Sequence, residues 1–413
     1  MIGLRIGRIY SRIFEKKRIE SPFPGPKHGP QQDISRPGWR LIPEEPRSGP
    51  VCGRKPSPWK DQWPVDPGVW RRHHLCYETR MNSFDEIKTR TEAMTALPES
   101  LRTEILEEWN SRTKPPASLG RLEELAAWVG TVQESNPPKV SRLSLRLYAG
   151  AHGITEERVS MVPDHINGQM FRNFHHGGAA INALCRSNGI GFLALDAGID
   201  RPTRNFLHHP AMSEAETVEA FNLGWESVPG RTDLFAVGEM GIGNTTPAAA
   251  ILATITDQPI EAITGRGAGL SDEGLRRKSS TIRRALENRR SELTSPLMIL
   301  GSIGGREIAA MTGAILSAAE KKIPIVLDGV ICSAAAAIAF ELQPLVIGRC
   351  VAGHQSTEPA HLAFLNHYGL KPLVDLDMRL GEGSGAAVAM NIVRNAVDCF
   401  NQMATFEEAG VVL

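Results

Sequence analysis

From Met81 onward the chain changes hydrophobic period part-way along. Three stretches with helical patterning come first, at residues 83–97, 99–109 and 119–132. In the third, Leu122, Leu125, Ala126, Val129 and Val132 mark one face near a 3.6-residue spacing, and Pro115 and Pro116 break the chain before it. Short continuous apolar runs follow, at residues 143–149, 191–195, 234–237, 297–300, 323–327 and 345–347. Between them lie helical patterns at 169–185, 214–225, 246–256, 272–287 and 305–319. Apolar runs without alternation suit strands buried on both faces, as in a parallel sheet covered by helices on each side. The pattern predicts a doubly wound parallel α/β sheet over residues 141–385, with right-handed crossovers. No period of about 20–50 residues is visible, which excludes a solenoid.

Residues 1–80 do not share this patterning. They hold 16 Lys and Arg against 8 Asp and Glu, and 12 of the 28 prolines. Proline at that density breaks regular structure. The segment reads as a disordered extension, or as sequence upstream of a true start at Met81. The whole chain has zero formal net charge and a pI near 7.2, so it carries no overall electrostatic footprint for nucleic acid. No apolar run approaches the ~18 residues of a membrane helix. The six cysteines are scattered without a Cys-x-x-Cys pair, which suits reduced thiols in a cytoplasmic protein.

Candidate chemistry sits in glycine-rich turns. Near the C-terminus, a strand-like run at 372–376 leads to Gly381-Glu382-Gly383, and a small-residue helix follows at 386–397. Flanking glycines let the backbone turn sharply and present the acid at a strand-to-helix turn. In parallel sheets such turns bind ligands, and an acid held there is a candidate general base. The same residues also read as a helix-capping glutamate. Three more turns resemble it: residues 238–247, with Glu239, Met240, Gly241, Gly243 and Asn244; residues 265–269, with Gly265, Arg266 and Gly267; and residues 301–305, ending in Gly304 and Gly305. Each is read as following a strand. In the first, Thr246 is the expected N-cap and Pro247 the first helical residue. Glycine N–H groups at a helix start favour an anion such as a phosphate monoester. The chain lacks Gly-x-x-x-x-Gly-Lys-Ser/Thr and a complete Gly-x-Gly-x-x-Gly, against an ordinary P-loop NTPase or a dinucleotide enzyme. His152 and His354 follow strands and read as cleft residues or as structural histidines. Ser356 is a candidate ligand donor. His-x-x-His spacing is absent, so no metal site is expected.

Taken in order, several segments carry a family resemblance: Lys114-Pro115-Pro116-Ala117-Ser118-Leu119-Gly120-Arg121-Leu122-Glu123, Gly177-Gly178-Ala179-Ala180-Ile181-Asn182, Thr203-Arg204-Asn205-Phe206, residues 238–247, residues 353–359, and Arg379-Leu380-Gly381-Glu382-Gly383-Ser384-Gly385. The chain resembles the nicotinate-nucleotide–dimethylbenzimidazole phosphoribosyltransferases over nearly all of residues 81–413. The resemblance implies a small helical domain built from residues 81–140 and 386–413, and a homodimer. It also implies transfer of the 5-phosphoribosyl group of nicotinate mononucleotide to 5,6-dimethylbenzimidazole, in cobalamin nucleotide-loop assembly. Glu382 falls on the family's base and Glu239 near the reacting centre. The base pocket draws on residues 160–169, including Ser160 and Gln169. No diphosphate leaves, so no metal or cofactor is needed.

One departure stands out. Related enzymes commonly read Gly-Asp-His-Gly where this chain has Gly150-Ala151-His152-Gly153. The loss of that carboxylate leaves open another aromatic acceptor, or a non-catalytic binding subunit. Glu239 and Glu382 argue for turnover.

Overall fold

The computed structural model describes residues 80–412, and the extension expected over residues 1–80 lies outside them except for Arg80. In chain order the elements are α1 (Phe84–Glu92), α2 (Glu99–Glu108), α3 (Arg121–Gln133), β1 (Leu143–His152), α4 (Ile166–His175), α5 (Ala180–Asn188), β2 (Ile190–Thr203), α6 (Glu214–Ser227), β3 (Leu234–Met240) and α7 (Thr245–Thr256). They continue with α8 (Ile260–Ile263), α9 (Asp272–Arg289), α10 (Pro296–Ile303), α11 (Arg306–Glu320), β4 (Ile325–Leu327), α12 (Val330–Leu342), β5 (Cys350–Ala352), β6 (His354–Gln355), α13 (Pro359–Tyr368), β7 (Val374–Asp375) and α14 (Ser384–Gln402).

Five strands form one parallel sheet in the order β2-β1-β3-β4-β5, and β6 pairs with β7 in a small parallel ribbon. Successive side chains on a strand point to opposite faces. On β3, Phe235 and Val237 therefore enter the core shared with α6, α7, α11 and α12, while Leu234 and Ala236 enter the one shared with α3, α5 and α14. Burial on both faces explains the continuous apolar runs and the parallel α/β architecture they predict.

The helices from both ends of the family-like region meet. Trp109 packs edge-on against Phe400 of α14, with ring centroids 5.0 Å apart. Their apolar residues share a core with one face of the sheet: Trp109, Leu125 and Phe400 belong with Leu145 and Leu147 of β1.

Three local readings are corrected. Residues 297–300, expected as a strand, lie in α10. The Ser295 side chain accepts the Met298 N–H and Pro296 fills the first helical position, a start signal that outweighs a short apolar run. Residues 345–347 form a 3₁₀ turn behind Pro344, and the strand begins at Cys350. The helix expected over 169–185 is two helices, parted where Gly177 adopts a φ of +73°.

Candidate active site

A cavity of about 280 Å³ opens at the carboxyl ends of the parallel strands. That is near the lower end of small-ligand sites, which start around 300 Å³. Its position follows from the topology: ligands in open α/β sheets sit beyond the strands' carboxyl ends.

Glu239 comes from the last turn of β3 and Glu382 from the turn before α14, and both face this cavity. The Glu382 N–H donates to Glu239 Oε1 at 3.4 Å, which joins the two turns. Gly238 has no room for a Cβ, because one would collide with the Glu382 carbonyl. The turn itself is left-handed over three residues: φ is +83° at Gly381, +62° at Glu382 and +80° at Gly383. A non-glycine residue there costs about 1–2 kcal/mol, so its surroundings must hold it.

The two acids have different environments. Glu239 accepts a short hydrogen bond from the Asn244 amide. Burial, then the nearby Glu307 charge, push its carboxyl up to about 8 despite that bond. Glu382 is also raised, by burial first and by Asp328 as well, with the Ile181 N–H acting the other way. Its Oε2 is buried and has no hydrogen-bond partner. A carboxylate with a free oxygen and raised proton affinity is a competent base. Asp328 accepts the N–H groups at the start of α14. The start of α14 is thus engaged by Asp328 rather than by Glu382.

The remaining wall includes a glycine-rich loop. The loop from Met240 through Gly241 and Gly243 to Asn244 lines the cavity and leads into α7. That helix starts at Thr245 rather than at a Thr246 cap, and the Asn244 amide is engaged by Glu239. Arg266, Gly267, Ser356 and Ser160 also line the cavity. Arg266 pairs with Asp272 and donates to the Leu270 carbonyl at 2.8 Å. Its turn follows α8 and not a strand, and the segment 301–305 is the last turn of α10 with the two glycines after it.

Gln169, Gly265, Gly304 and Gly305 do not line the cavity. Gln169 is exposed on α4, where Met170 lines the site instead. Gly265 leaves space for the Glu358 carboxylate, and Gly305 for His152 and Glu307. His152 Nε2 lies 2.6 Å from Glu307 Oε1, both side chains fully buried. Ala151 is buried and outside the cavity lining.

A family profile described as phosphoribosyltransferase matches residues 94–411. A curated relative from Cereibacter sphaeroides is 47% identical over 299 residues, covering 72% of this chain and 88% of that protein. One from Mesorhizobium japonicum is 43% identical over 329 residues, covering 80% and 98%. Both are named nicotinate-nucleotide–dimethylbenzimidazole phosphoribosyltransferase. The chain belongs to this phosphoribosyltransferase family. The fold agrees: a crystal structure of CobT from Thermus thermophilus superposes with a TM-score of 0.72 at 38% identity, over 76% of this chain and 99% of that one.

Two family-region residues escaped the sequence reading, Lys278 beside the cavity and Asp328 in its lining. Lys278 is fully buried on α9, donates to Thr245 Oγ1 at 2.8 Å and to the Gly265 carbonyl at 3.0 Å, and burial lowers it to about 8. It ties the two glycine-rich loops together. Its signal is spacing, because Gly274, Lys278, Thr281, Ile282 and Ala285 share one buried helical face. Asp328 is the other. An acid ending an apolar strand of a parallel sheet was a readable cue.

Proposed function

We propose that this cavity transfers the 5-phosphoribosyl group of nicotinate mononucleotide to 5,6-dimethylbenzimidazole, giving α-ribazole 5′-phosphate and nicotinate for the nucleotide loop of cobalamin. The observation that carries this is the pair Glu239 and Glu382 on one cavity whose other wall is a glycine-rich helix start. The loop 241–245 and Gly267 suit the phosphate, where backbone N–H groups and the start of α7 favour an anion. Met170, Val159 and Leu380 supply apolar surface for a flat aromatic base.

The lone-pair nitrogen of the base attacks the ribose C1′, and the C1′–N bond to nicotinate breaks. Nicotinate is a pyridinium in the nucleotide, so it departs with the bond's electron pair and needs no proton. The product ring is cationic, and its other N–H becomes acidic. Glu382 takes that proton on its carboxylate. Attack opposite the leaving group inverts the anomeric centre from β to α. Glu239, ionised once the cationic substrate is bound, stabilises positive charge developing on the ribose. The homodimer and a cytoplasmic setting belong to the same proposal.

The test mixes the purified full chain with nicotinate mononucleotide and a panel of benzimidazoles, purines and phenols, and identifies products by mass. A ribosylated benzimidazole is expected. A product with phenols or purines alone would reassign the acceptor, and no product with any base would reject the reaction. One methyl group on the base is worth only ~1–3 kcal/mol, so graded rates across benzimidazoles are expected.

A further inference from the structure

The Glu382 turn is held from outside by two acidic side chains, Glu239 through the Glu382 N–H and Asp328 through two N–H groups that follow it. Asp328 directly follows β4 and is 2% exposed. Its Oδ2 accepts the Gly383 N–H at 3.1 Å, and its Oδ1 accepts the Ala386 N–H at 3.0 Å. The first of these groups belongs to the residue immediately after Glu382, and the second to the first turn of α14. Behind the carboxylate, His354 Nε2 lies 3.5 Å from Oδ1, with both side chains 3% exposed. The Asp328 N–H in turn meets Cys332 Sγ at 3.4 Å. The carboxylate is thus fixed on three sides, and it adds to the turn's own bonds, in which the Ser384 N–H and hydroxyl donate to the Gly381 carbonyl at 3.0 and 2.7 Å. On the far side Gly238 packs against the Glu382 carbonyl. The turn is clamped between the ends of β3 and β4.

We infer that Asp328, backed by His354, is a positioning residue that locks the 381–383 turn and so aims the Glu382 carboxylate at the reacting base. Two acceptor oxygens are required, because two N–H groups arrive on different oxygens. Asparagine keeps the volume but offers one acceptor and an NH₂ that opposes the other N–H. The charge of Asp328 also raises the proton affinity of Glu382, which favours a base. The other groups facing this pair are Glu239 on β3, Cys332 on α12, His354 on β6 and the Ile181 N–H on α5, and Glu307 on α11 faces Glu239.

The inference rests on the proposed role of Glu382, and the experiment separates the two. Initial rates with nicotinate mononucleotide and dimethylbenzimidazole are measured for the full chain, Asp328→Asn, Glu382→Gln and the double variant. Asp328→Asn is expected to lower kcat on the order of 10²-fold, the scale of a small misplacement of a reacting group, with KM for the nucleotide little changed. The acid limb of its pH–kcat profile should move to lower pH, because Glu382 loses a neighbouring negative charge. The double variant should lose no more than Glu382→Gln alone, since both changes act through one group. A near-normal kcat in Asp328→Asn, an unmoved acid limb, or losses that multiply in the double variant overturn the positioning role. If circular dichroism shows Asp328→Asn unfolded, His354→Asn replaces it in the same cycle, with a smaller loss expected and multiplying losses counting against the role. Absence of product from the unaltered chain overturns the reaction instead.

Discussion

The strand end at Glu239 and the turn at Glu382 bring the same kind of side chain to one cavity by opposite means. Glu239 sits at the end of regular β-structure, and its oxygens already accept from Asn244 and from the Glu382 N–H. Glu382 sits on strained left-handed backbone and keeps one oxygen free. Both are pushed toward the protonated form by burial. Only the second keeps an oxygen with no hydrogen-bond partner. Proton affinity alone therefore does not separate a base from an electrostatic stabiliser; the free oxygen does.

The largest test of that contrast is Glu382→Gln. If it is the base, turnover should fall on the order of 10²- to 10⁴-fold, measured as ribosylated product per unit time, and near-normal turnover would remove it from the chemistry. Glu239→Gln should cost less, on the order of 10²-fold, and should leave the acid limb of the pH profile where Glu382 sets it. Identical profiles for the two variants would break the contrast. Lys278→Met addresses the opposite wall. Losing hydrogen bonds from a buried cation should raise KM for the nucleotide roughly 10-fold, with a smaller change in kcat. A change confined to kcat would place Lys278 nearer the reaction than the two loops suggest.

The smallest effect is on stability. Glu239 rises from 4.5 to about 8 on folding, so folding takes up a proton there. The associated stability is complete below about pH 4.5 and is lost as pH rises through 8. Thermal melts of Glu239→Gln should therefore show a smaller drop in Tm between about pH 6 and pH 9 than the unaltered chain. Equal drops would mean that Glu239 stays ionised at neutral pH.

What could be read from the sequence followed from how local each signal was. The sheet was legible in β1, β3 and β4, whose short apolar runs alternate with helical patterns. Glu382 was legible because glycines flank it, and Glu239 because it opens a glycine-rich helix start. Residues 297–300 misled because four apolar residues fit a buried helix as well as a strand, and Ser295-Pro296 decides between them only when read as a start signal. Asp328 and Glu307 stayed hidden because their partners lie 55 and 155 residues away in sequence. Lys278 was masked by the charged residues around it, Arg276, Arg277, Arg283 and Arg284, although it lies on the helix's buried face. Such groups acquire their character from contacts between distant segments, which periodicity does not encode.

The packing of Phe400 beside Trp109 and the β1 core has a consequence for biosynthesis. The helix that covers one side of the central strand lies far downstream of β1, so it leaves the ribosome well after that strand, and chains of this size begin folding during synthesis. Until it emerges, the core around Leu145 and Leu147 lacks the α14 residues that complete it. Because the same helix follows the Glu382 turn, the nascent protein sets its proposed base in place in the same event that completes this apolar core.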